Sequence, residues 1–514
     1  MNKENNFQFK FSIITAVYNV ENYLEEAIES IISQDIGFLD SVEIILVDDG
    51  STDRSGRICD AYQKKYPDNI KVIHKKNGGA SSARNAGIPL AEGRYVNFMD
   101  SDDKLSPNML SAVYNFFSKT EQKIDLISVP IFFFEGKELP HRLNYKYASN
   151  LDQIIDLDAQ YSYIQMSAAS SFFKREVLSS DFFDTSLRYA EDAKAITKLF
   201  LNNSHYGIVP EGRYFYRYRN TMNSALNGSK QHKEWYLDCL KNYILWAAET
   251  AEKKFGFVPR FVQFSLMYDL QSRFRMEEIP NGVLTEEEKE EFLSLLKEAL
   301  SYIDNQIILE QKHLSKEQKD YIIGLKEDSG EPVYEYSNED GNLRYQNTAT
   351  FPLSSYVLKL NKLSFDRKSI YIHGSVKLNS KFPYPTEIYI RTYSGGTVSK
   401  IPCTYERNSQ KTFLFIGRLL AQFTDFEAVI PRKSIDSDTK LEFCMTCDSH
   451  PILFRNLTAE NTFPVPPGKK KVYLESLHMN LKRNSQFLTL EPVSLKKRLS
   501  FKYRDLKNKL FSGK

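Results

Sequence analysis

The stretch RYVNFMDSDD, residues 94–103, ends an apolar run with three carboxylates within four residues. Like charges this close repel each other, so a folded chain needs a reason to gather them. A turn that faces water is one reason, and a bound divalent cation is another. The apolar run predicts a strand, so the carboxylates are expected at a strand's carboxyl end, where open parallel sheets bind ligands.

Short apolar strands alternate with helical patterns around this stretch, from about residue 10 to residue 230. The segments FSIITAVYN, VEIILVDDG and IKVIHKK predict strands, and VENYLEEAIESIISQ, DRSGRICDAYQKKY and SSARNAGIPLA predict the helices that follow them. This rotation of strand and helix is typical of a parallel sheet with helices on both faces. Residues 1–230 are therefore predicted to be an α/β domain with a mostly parallel sheet.

The rest of the chain is predicted to contain three further parts. Residues 231–330 repeat apolar residues at helical spacing and predict a helical linker domain, in which Thr285 and Glu288 have the spacing of a capping box. Residues 331–466 change to alternating patterns such as SIYIHGSVKL and KLEFCMTC, which predict a β-sandwich of immunoglobulin-like type. Residues 467–514 form a basic tail.

Composition excludes several classes of protein. The 41% hydrophobic and 26% charged residues are ordinary for a globular chain of 514 residues, and this length predicts more than one domain. Five cysteines are too few for a disulfide framework and favour a reducing compartment. No signal peptide is expected at the N-terminus, and no apolar run approaches the ~20 residues of a membrane-spanning helix.

Polar clusters end three of the predicted strands. They are the segments TAVYN (residues 15–19), DDGS (residues 48–51) and DSDD (residues 100–103). Caps of helices and turns would explain any one of them alone. All three at one sheet edge would instead concentrate oxygen ligands, which Mg²⁺ and Mn²⁺ prefer when they bind together with substrate phosphates.

The order of several segments carries a family resemblance over roughly residues 9–225. SIITAVYNVENYLEEAIESIISQ, EIILVDDGSTDRSGRICDAY, VIHKKNGGASSARNAGIPLAEGRYVNFMDSDD and YAEDAKAITKLF follow one another at familiar spacings. This order resembles the inverting family 2 glycosyltransferases of GT-A fold. The resemblance implies a Rossmann-like nucleotide-binding domain and metal-dependent transfer of a sugar, a UDP-linked hexose or N-acetylhexosamine, to an acceptor.

The resemblance also implies where the donor and a metal would bind. Asp48 or Asp49 would contact the base, and Asp102, with Asp100 beside it, would be the direct ligand of Mn²⁺ or Mg²⁺. An ion pair with a nearby aspartate is the alternative for Arg84. The nucleotide-binding residues that it implies besides Asp48 and Asp49 are Thr15, Tyr18, Asn19, Asn77, Gly78, Ser81, Arg84, Asp100 and Ser101.

On the acceptor side, the resemblance assigns Asp192 as the general base that removes a proton from the attacking hydroxyl. The alternative is that Glu191 and Asp192 complement the dipole of a helix that begins there. Asp103 is not needed for this chemistry and is predicted to cap a turn or to face the acceptor. Contacts with phosphate or acceptor are predicted for Glu191, Arg217, Arg219 and Ser224, and solvated charges on an edge strand are the alternative for the arginines.

The order of modules resembles, more loosely, bacterial enzymes that decorate teichoic acids or build capsules. It implies a lipid-linked glycan or polyol-phosphate polymer as acceptor, and a homo-oligomer is a further expectation. Residues 492–514 place Leu and Tyr at helical spacing among many Lys and Arg, which predicts a helix on an anionic membrane surface. The alternative is a solvated helix that docks on its own protein.

These expectations place the protein in the cytoplasm, peripheral at the inner face of a bacterial cell membrane. Nucleic acid is not expected as a partner, because no platform of aromatic and basic residues accompanies the charge. Two rival functions stay open. A nucleotidyltransferase of related fold would use the same carboxylates and metal but release pyrophosphate, and an inactive polymer-binding scaffold would release no product.

Overall fold

The computed structural model of the chain divides into two compact units. The first contains the residues up to Arg273 and Ile279–His313, and the second contains Phe274–Glu278 and the described residues from Leu314 onward. The residues that the structure describes are 7–120, 122–136, 139–218, 228–326, 334–337, 342–345, 348–352, 356–379, 385, 387–394, 396–416, 418–435, 439–447, 450–454, 456–459, 463, 471–474, 479–483 and 487–492.

The first unit alternates strands and helices over most of its length. Its strands are β1 Phe9–Val17, β2 Val42–Asp48, β3 Ile70–His74, β4 Gly93–Asp100, β5 Lys104–Leu105, β6 Leu126–Ser128, β7 Ile131–Phe134, β8 Gln153–Asp156, β9 Ser171–Lys174, β10 His205–Ile208 and β11 Tyr214–Arg217. The helices from its start to residue 310 are α1 Leu24–Ile32, α2 Phe38–Ser41, α3 Ser55–Lys65, α4 Ala80–Gly87, α5 Met109–Thr120, α6 Glu191–Phe200, α7 Lys233–Tyr236, α8 Trp246–Phe255, α9 Arg260–Phe274, α10 Glu286–Ser301 and α11 Asn305–Glu310.

Within the described residues, an eight-stranded sheet of order β3-β2-β1-β4-β9-β6-β10-β8 forms the centre of this unit. β1 pairs in parallel with β2 and β4, and β2 pairs in parallel with β3. Every residue of β2 is buried, which explains its continuous apolar run. The predicted α/β domain with a mostly parallel sheet is therefore confirmed, with β9 as an antiparallel strand between β4 and β6.

The register of the central strands sets where the polar clusters lie. Val17 is opposite Asp48 in the pair β1–β2, and Ala16 is opposite Asp100 in the pair β1–β4. The carboxyl ends of three neighbouring strands thus reach one edge of the sheet at the same height. A smaller sheet of order β5-β11-β7 begins just past this edge, at Lys104.

The second unit is built mainly from antiparallel strands. They are β12 Tyr334–Ser337, β13 Asn342–Tyr345, β14 Thr348–Pro352, β15 Val357–Phe365, β16 Ser369–Asn379, β17 Glu387–Ser394, β18 Thr397–Phe415, β19 Arg418–Pro431, β20 Thr439–Cys447, β21 His450–Leu453, β22 Asn456–Ala459, β23 Lys471–Leu474, β24 Met479–Arg483 and β25 Phe487–Pro492. A helix, α12 Lys316–Lys326, precedes them.

The long strand β18 links two groups of strands in this unit. Its first part pairs with β17 and its second part with β19, and residues of both groups contribute to one hydrophobic core. The prediction of a C-terminal β-sheet domain is confirmed. Its immunoglobulin-like type and the boundaries at residues 230, 330 and 466 stay predictions.

Two predictions concern membranes, one about spanning helices and one about a surface helix. None of the helices among the described residues is long and apolar enough to cross a bilayer. The predicted surface helix in residues 492–514 lies outside the described residues apart from Pro492, which ends β25.

Candidate active site

The carboxylates that follow β4 lie in two different environments. The side chain of Asp100 is 35% exposed, whereas Asp103 is 1% exposed. The Tyr214 hydroxyl donates to Asp103 Oδ2 over 2.7 Å, and the Arg217 backbone N–H donates to its Oδ1 over 2.7 Å. Burial, with the charges of Asp100 and Asp102, raises the pKa of Asp103 well above its usual value. Asp103 therefore fastens this segment to β11.

Arg217 also holds the segment Ser101–Asp103 in place. Its Nε donates to the Asp102 carbonyl over 2.7 Å, and its two Nη atoms pair with Glu26 and Glu135. Its guanidinium also lies over the ring of Tyr23, at 4.7 Å. With these acceptors in place, the phosphate contact expected of Arg217 stays a prediction. The other two downstream candidates, Arg219 and Ser224, lie outside the described residues.

Arg84 of α4 joins three carboxylates from distant parts of the chain. Its Nη2 donates to Asp100 Oδ1 over 2.8 Å, and its Nη1 donates to Asp192 Oδ1 over 2.9 Å and to Glu191 Oε1 over 3.1 Å. Burial acts to lower the pKa of Arg84, but the three carboxylates outweigh it and raise the pKa. The ion pair considered as an alternative for this residue is therefore present, and it links the end of β4 to the start of α6.

Glu191 and Asp192 begin α6 after a residue in a left-handed conformation. Ala190 has a φ of 66°, which costs an alanine free energy and needs support from its surroundings. The Ala168 backbone N–H donates to Asp192 Oδ2 over 2.8 Å, so both oxygens of Asp192 have donors. Burial raises the pKa of Asp192, and burial with the charge of Asp192 raises the pKa of Glu191 to about 7. Carboxyl groups whose pKa is raised by burial are typical of acid–base sites.

The two aspartates at the end of β2 have separate tasks. Asp48 accepts from the Ser51 N–H over 2.9 Å and from His74 Nδ1 over 2.8 Å. Burial acts to raise the pKa of Asp48, but these hydrogen bonds outweigh it and lower the pKa. Asp49 accepts from the backbone N–H groups of Gly78 and Gly79, and its Oδ1 also accepts from a lysine, Lys75. Both carboxylates thus fix the loops that follow β2 and β3.

The loops after β1 and β3 are close to this pair. Asn19 has a φ of 51°, and its Oδ1 accepts from the Thr52 N–H over 2.8 Å. Tyr18 is 50% exposed beside it. A Cβ atom at Gly78 would come 2.7 Å from Ser82 Oγ, so any larger residue there would require the Ser82 side chain to move. The sheet edge therefore carries an exposed aromatic ring beside a residue in the left-handed conformation.

Three predicted residues are buried at this edge. Ser81 and Ser101 lie at the starts of α4 and of the segment after β4, whereas Asn77 remains exposed. Thr15 of β1 is buried, and its Oγ1 has no hydrogen-bond partner among the described residues. An unpaired buried hydroxyl is costly and commonly marks a place where a ligand or water completes the bonding.

A divalent cation fits the oxygen donors at the end of β4. The described residues contain no group of three or more His, Cys, Asp or Glu side chains that could hold a metal alone. Mg²⁺ and Mn²⁺, however, commonly bind through one or two carboxylates and complete their coordination with substrate phosphates. Asp100 and Asp102 would be such a pair, and their charges act together with burial to raise the pKa of Asp103.

Comparison with known proteins agrees with this geometry. Residues 12–182 match the family model described as "Glycosyl transferase family 2". The chain is 34% identical over 448 residues to the minor teichoic acid biosynthesis protein GgaB of Bacillus subtilis. The aligned region covers 86% of this chain and 49% of GgaB. It is 33% identical over 333 residues to GgaA of the same organism, with 62% of this chain and 74% of GgaA covered. The chain thus spans about half the length of GgaB.

Among solved structures, that of S. aureus TarS 1-349 in complex with UDP-GlcNAc is similar. The TM-score is 0.50 at 19% identity, and the match covers 66% of this chain and 97% of that one. At this identity the likeness concerns the fold. Together with the relatives of 33–34% identity, it confirms the predicted GT-A fold. The chain belongs to glycosyl transferase family 2.

Proposed function

We propose that this chain is a metal-dependent, inverting glycosyltransferase that moves a sugar from a UDP-linked donor to a teichoic-acid-type polymer. The observation that carries the proposal is the contact of one guanidinium, Arg84, with both Asp100 and Asp192. It joins the carboxylate on the donor side to the candidate base in a single cluster. Family membership, the teichoic acid biosynthesis named for GgaA and GgaB, and the UDP-GlcNAc bound to TarS support the substrate classes.

In the proposed reaction Asp192 accepts the proton of the acceptor hydroxyl. The hydroxyl oxygen forms a bond to the anomeric carbon while the bond from that carbon to the diphosphate oxygen breaks, so the configuration inverts. Arg84 and the Ala168 N–H hold the two oxygens of Asp192 in place during this step. A base whose pKa is raised by burial is better matched to proton transfer near neutral pH than an ordinary aspartate.

On the donor side, Asp100 and Asp102 would hold Mn²⁺ or Mg²⁺. The cation would supply positive charge to the departing diphosphate. Asp103 and Arg217 keep the backbone of this segment fixed against β11, so Asp102 has a defined position when the donor arrives. Thr15 Oγ1, Tyr18 and the turn at Gly78 would face the nucleotide.

The product and a pair of neighbouring variants test this function. With UDP-GlcNAc, Mn²⁺ and a polyol-phosphate acceptor, we expect release of UDP and a product of inverted anomeric configuration, detected by NMR. Asp102→Asn should lower the rate at least about a hundredfold. Asp103→Asn, one position away, should lower the rate much less, because the amide oxygen still accepts from the Arg217 N–H and the Tyr214 hydroxyl can turn to accept from the amide N–H. Release of pyrophosphate would favour a nucleotidyltransferase. The absence of both sugar transfer and donor hydrolysis would favour a scaffold.

For the tail we propose attachment to the inner face of the cell membrane through residues 492–514, near lipid-linked acceptors. The basic and apolar composition of this segment supports the proposal. A chain that ends at Glu491 should bind vesicles with anionic lipid less well than the full chain, and neither should bind neutral vesicles. Equal co-sedimentation of both chains with anionic vesicles would contradict it.

A further inference from the structure

A buried lysine is linked to the candidate base through Gln165 and the segment 167–171. Lys146 lies in a short helical turn, Arg142–Tyr147, and is 2% exposed. Its Nζ donates to the Ile164 carbonyl over 2.9 Å and to Gln165 Oε1 over 2.6 Å. Among the described residues no carboxylate forms an ion pair with it. Such a residue is costly to bury, so a specific use of its hydrogen bonds is expected.

The surroundings of Lys146 are mainly aromatic. The rings of Tyr147 and Tyr206 each lie 5.4 Å from Nζ, and the hydroxyls of both tyrosines bond elsewhere. Burial lowers the pKa of Lys146 well below its usual value. Nζ has two oxygen acceptors, so a third N–H of an ammonium would face only the two aromatic rings.

Gln165 forms hydrogen bonds both with Lys146 and with the segment 167–171. Its Oε1 accepts from both Lys146 and Ser128, which fixes the orientation of the side-chain amide. The Nε2 end therefore points the other way. Its two N–H groups are shared among three acceptors, the Ser167 carbonyl at 2.8 Å, Ser170 Oγ at 3.0 Å and Ser171 Oγ at 2.9 Å. If the amide were reversed, the donors of Lys146 and Ser128 would face an N–H group.

The segment held by Gln165 supplies the donor to the base. Ala168 N–H donates to Asp192 Oδ2 over 2.8 Å. From the other side, Asn97 of β4 donates to the carbonyls of Ala169 and Ser171, both over 2.8 Å. The segment 167–171 is thus fixed between the strand that ends at Asp100 and the buried amide of Gln165.

We propose that Lys146 and Gln165 are positioning residues for Asp192, because they hold the segment 167–171 so that the Ala168 N–H orients the carboxylate. The inference rests on the proposed function, in which Asp192 is the base. It predicts a change in the ionisation of Asp192 when the network is broken. The charged groups that already surround Asp192 are Arg84 from α4, Asp100 from the end of β4 and Glu191 from its own helix.

Two variants test the network in the full-length chain. Lys146→Met removes both donors at similar length. Gln165→Glu keeps an acceptor for Lys146 but cannot donate to the Ser167 carbonyl. In each we expect kcat for transfer from UDP-GlcNAc to fall roughly tenfold with an unchanged KM for the donor. The acidic limb of the kcat profile should move up by about half a pH unit or more, because Asp192 loses a hydrogen bond to its charged form.

The matched control is Glu43→Gln, a buried carboxylate at the start of β2, at the opposite end of the sheet. It should lower the melting temperature without moving the acidic limb. If Lys146→Met does not fold, the Gln165→Glu variant alone tests the inference, because Lys146 still has an acceptor at residue 165 in that variant. Variants that lose thermal stability but keep the wild-type kcat and pH profile would overturn the inference alone. A wild-type chain that transfers no sugar would overturn the proposed function and this inference with it.

Discussion

Replacement of Asp192 by Asn is expected to remove sugar transfer while the chain still binds the donor. The amide keeps an oxygen for Arg84 Nη1 or for the Ala168 N–H, but it cannot accept the proton of the acceptor hydroxyl. General-base catalysis contributes about 10²- to 10⁴-fold, so kcat should fall by that factor. In the wild type, kcat should rise with pH as Asp192 loses its proton, and this limb should vanish in the variant.

Asp184→Asn is the matched control for this experiment. Asp184 is a nearby carboxylate that accepts from Lys194 of α6 and from Ser186, and it contacts none of the site residues described above. Its variant should keep kcat and the acidic limb. Calorimetric titration with UDP-GlcNAc would give the donor affinity of both variants. Full transfer activity in Asp192→Asn would remove this residue as the base.

Replacement of Arg84 by Met is expected to weaken both the fold and the reaction. It leaves the carboxylates of Asp100, Glu191 and Asp192 close together without a counter-charge. Breaking a buried ion pair on one side costs about 3–5 kcal/mol of unfolding free energy. The charge of Arg84 also lowers the pKa of Glu191 and Asp192, so both values should rise in the variant and the base should hold its proton.

The sign of the pH dependence follows from these shifts. Because the folded pKa values of the two acids rise above the unfolded ones, the variant takes up protons on folding and is less destabilised at low pH. Thermal unfolding should therefore show a larger loss at pH 8 than at pH 5. Arg54→Met, at an exposed arginine paired with Glu21, should change little at either pH. An equal loss at both pH values would contradict this account.

What the sequence could predict is local or depends on chain order. The apolar runs before Asp48 and Asp100 predict strands, and the order of strand and helix predicts that both end at one edge, which the register confirms. The capping box at Thr285 and Glu288 is also local, and both of its hydrogen bonds are present at the start of α10.

What it could not predict depends on partners far apart in the chain. Arg217 and Arg219 have similar neighbours in the segment RYFYRYR, and nothing there indicates that Arg217 meets Glu26, 191 residues away. The contact of Ala168 with Asp192 uses a backbone N–H, which every residue except proline carries. The sequence does not indicate which of these N–H groups contacts Asp192, so the hydrogen bond that orients this candidate base could not be predicted from it.

The segment between β4 and β5 has only three residues, from Ser101 to Asp103, and its ends belong to two different sheets. Ordering a flexible residue costs about 1–2 kcal/mol of conformational entropy. This entropy is lost when the chain folds, because the segment is already ordered in the folded protein. Binding of a ligand at Asp102 would therefore not include the free-energy cost of ordering the segment. The same brevity fixes the length of the loop, because an inserted residue would disturb the strand pairing on one side or the other.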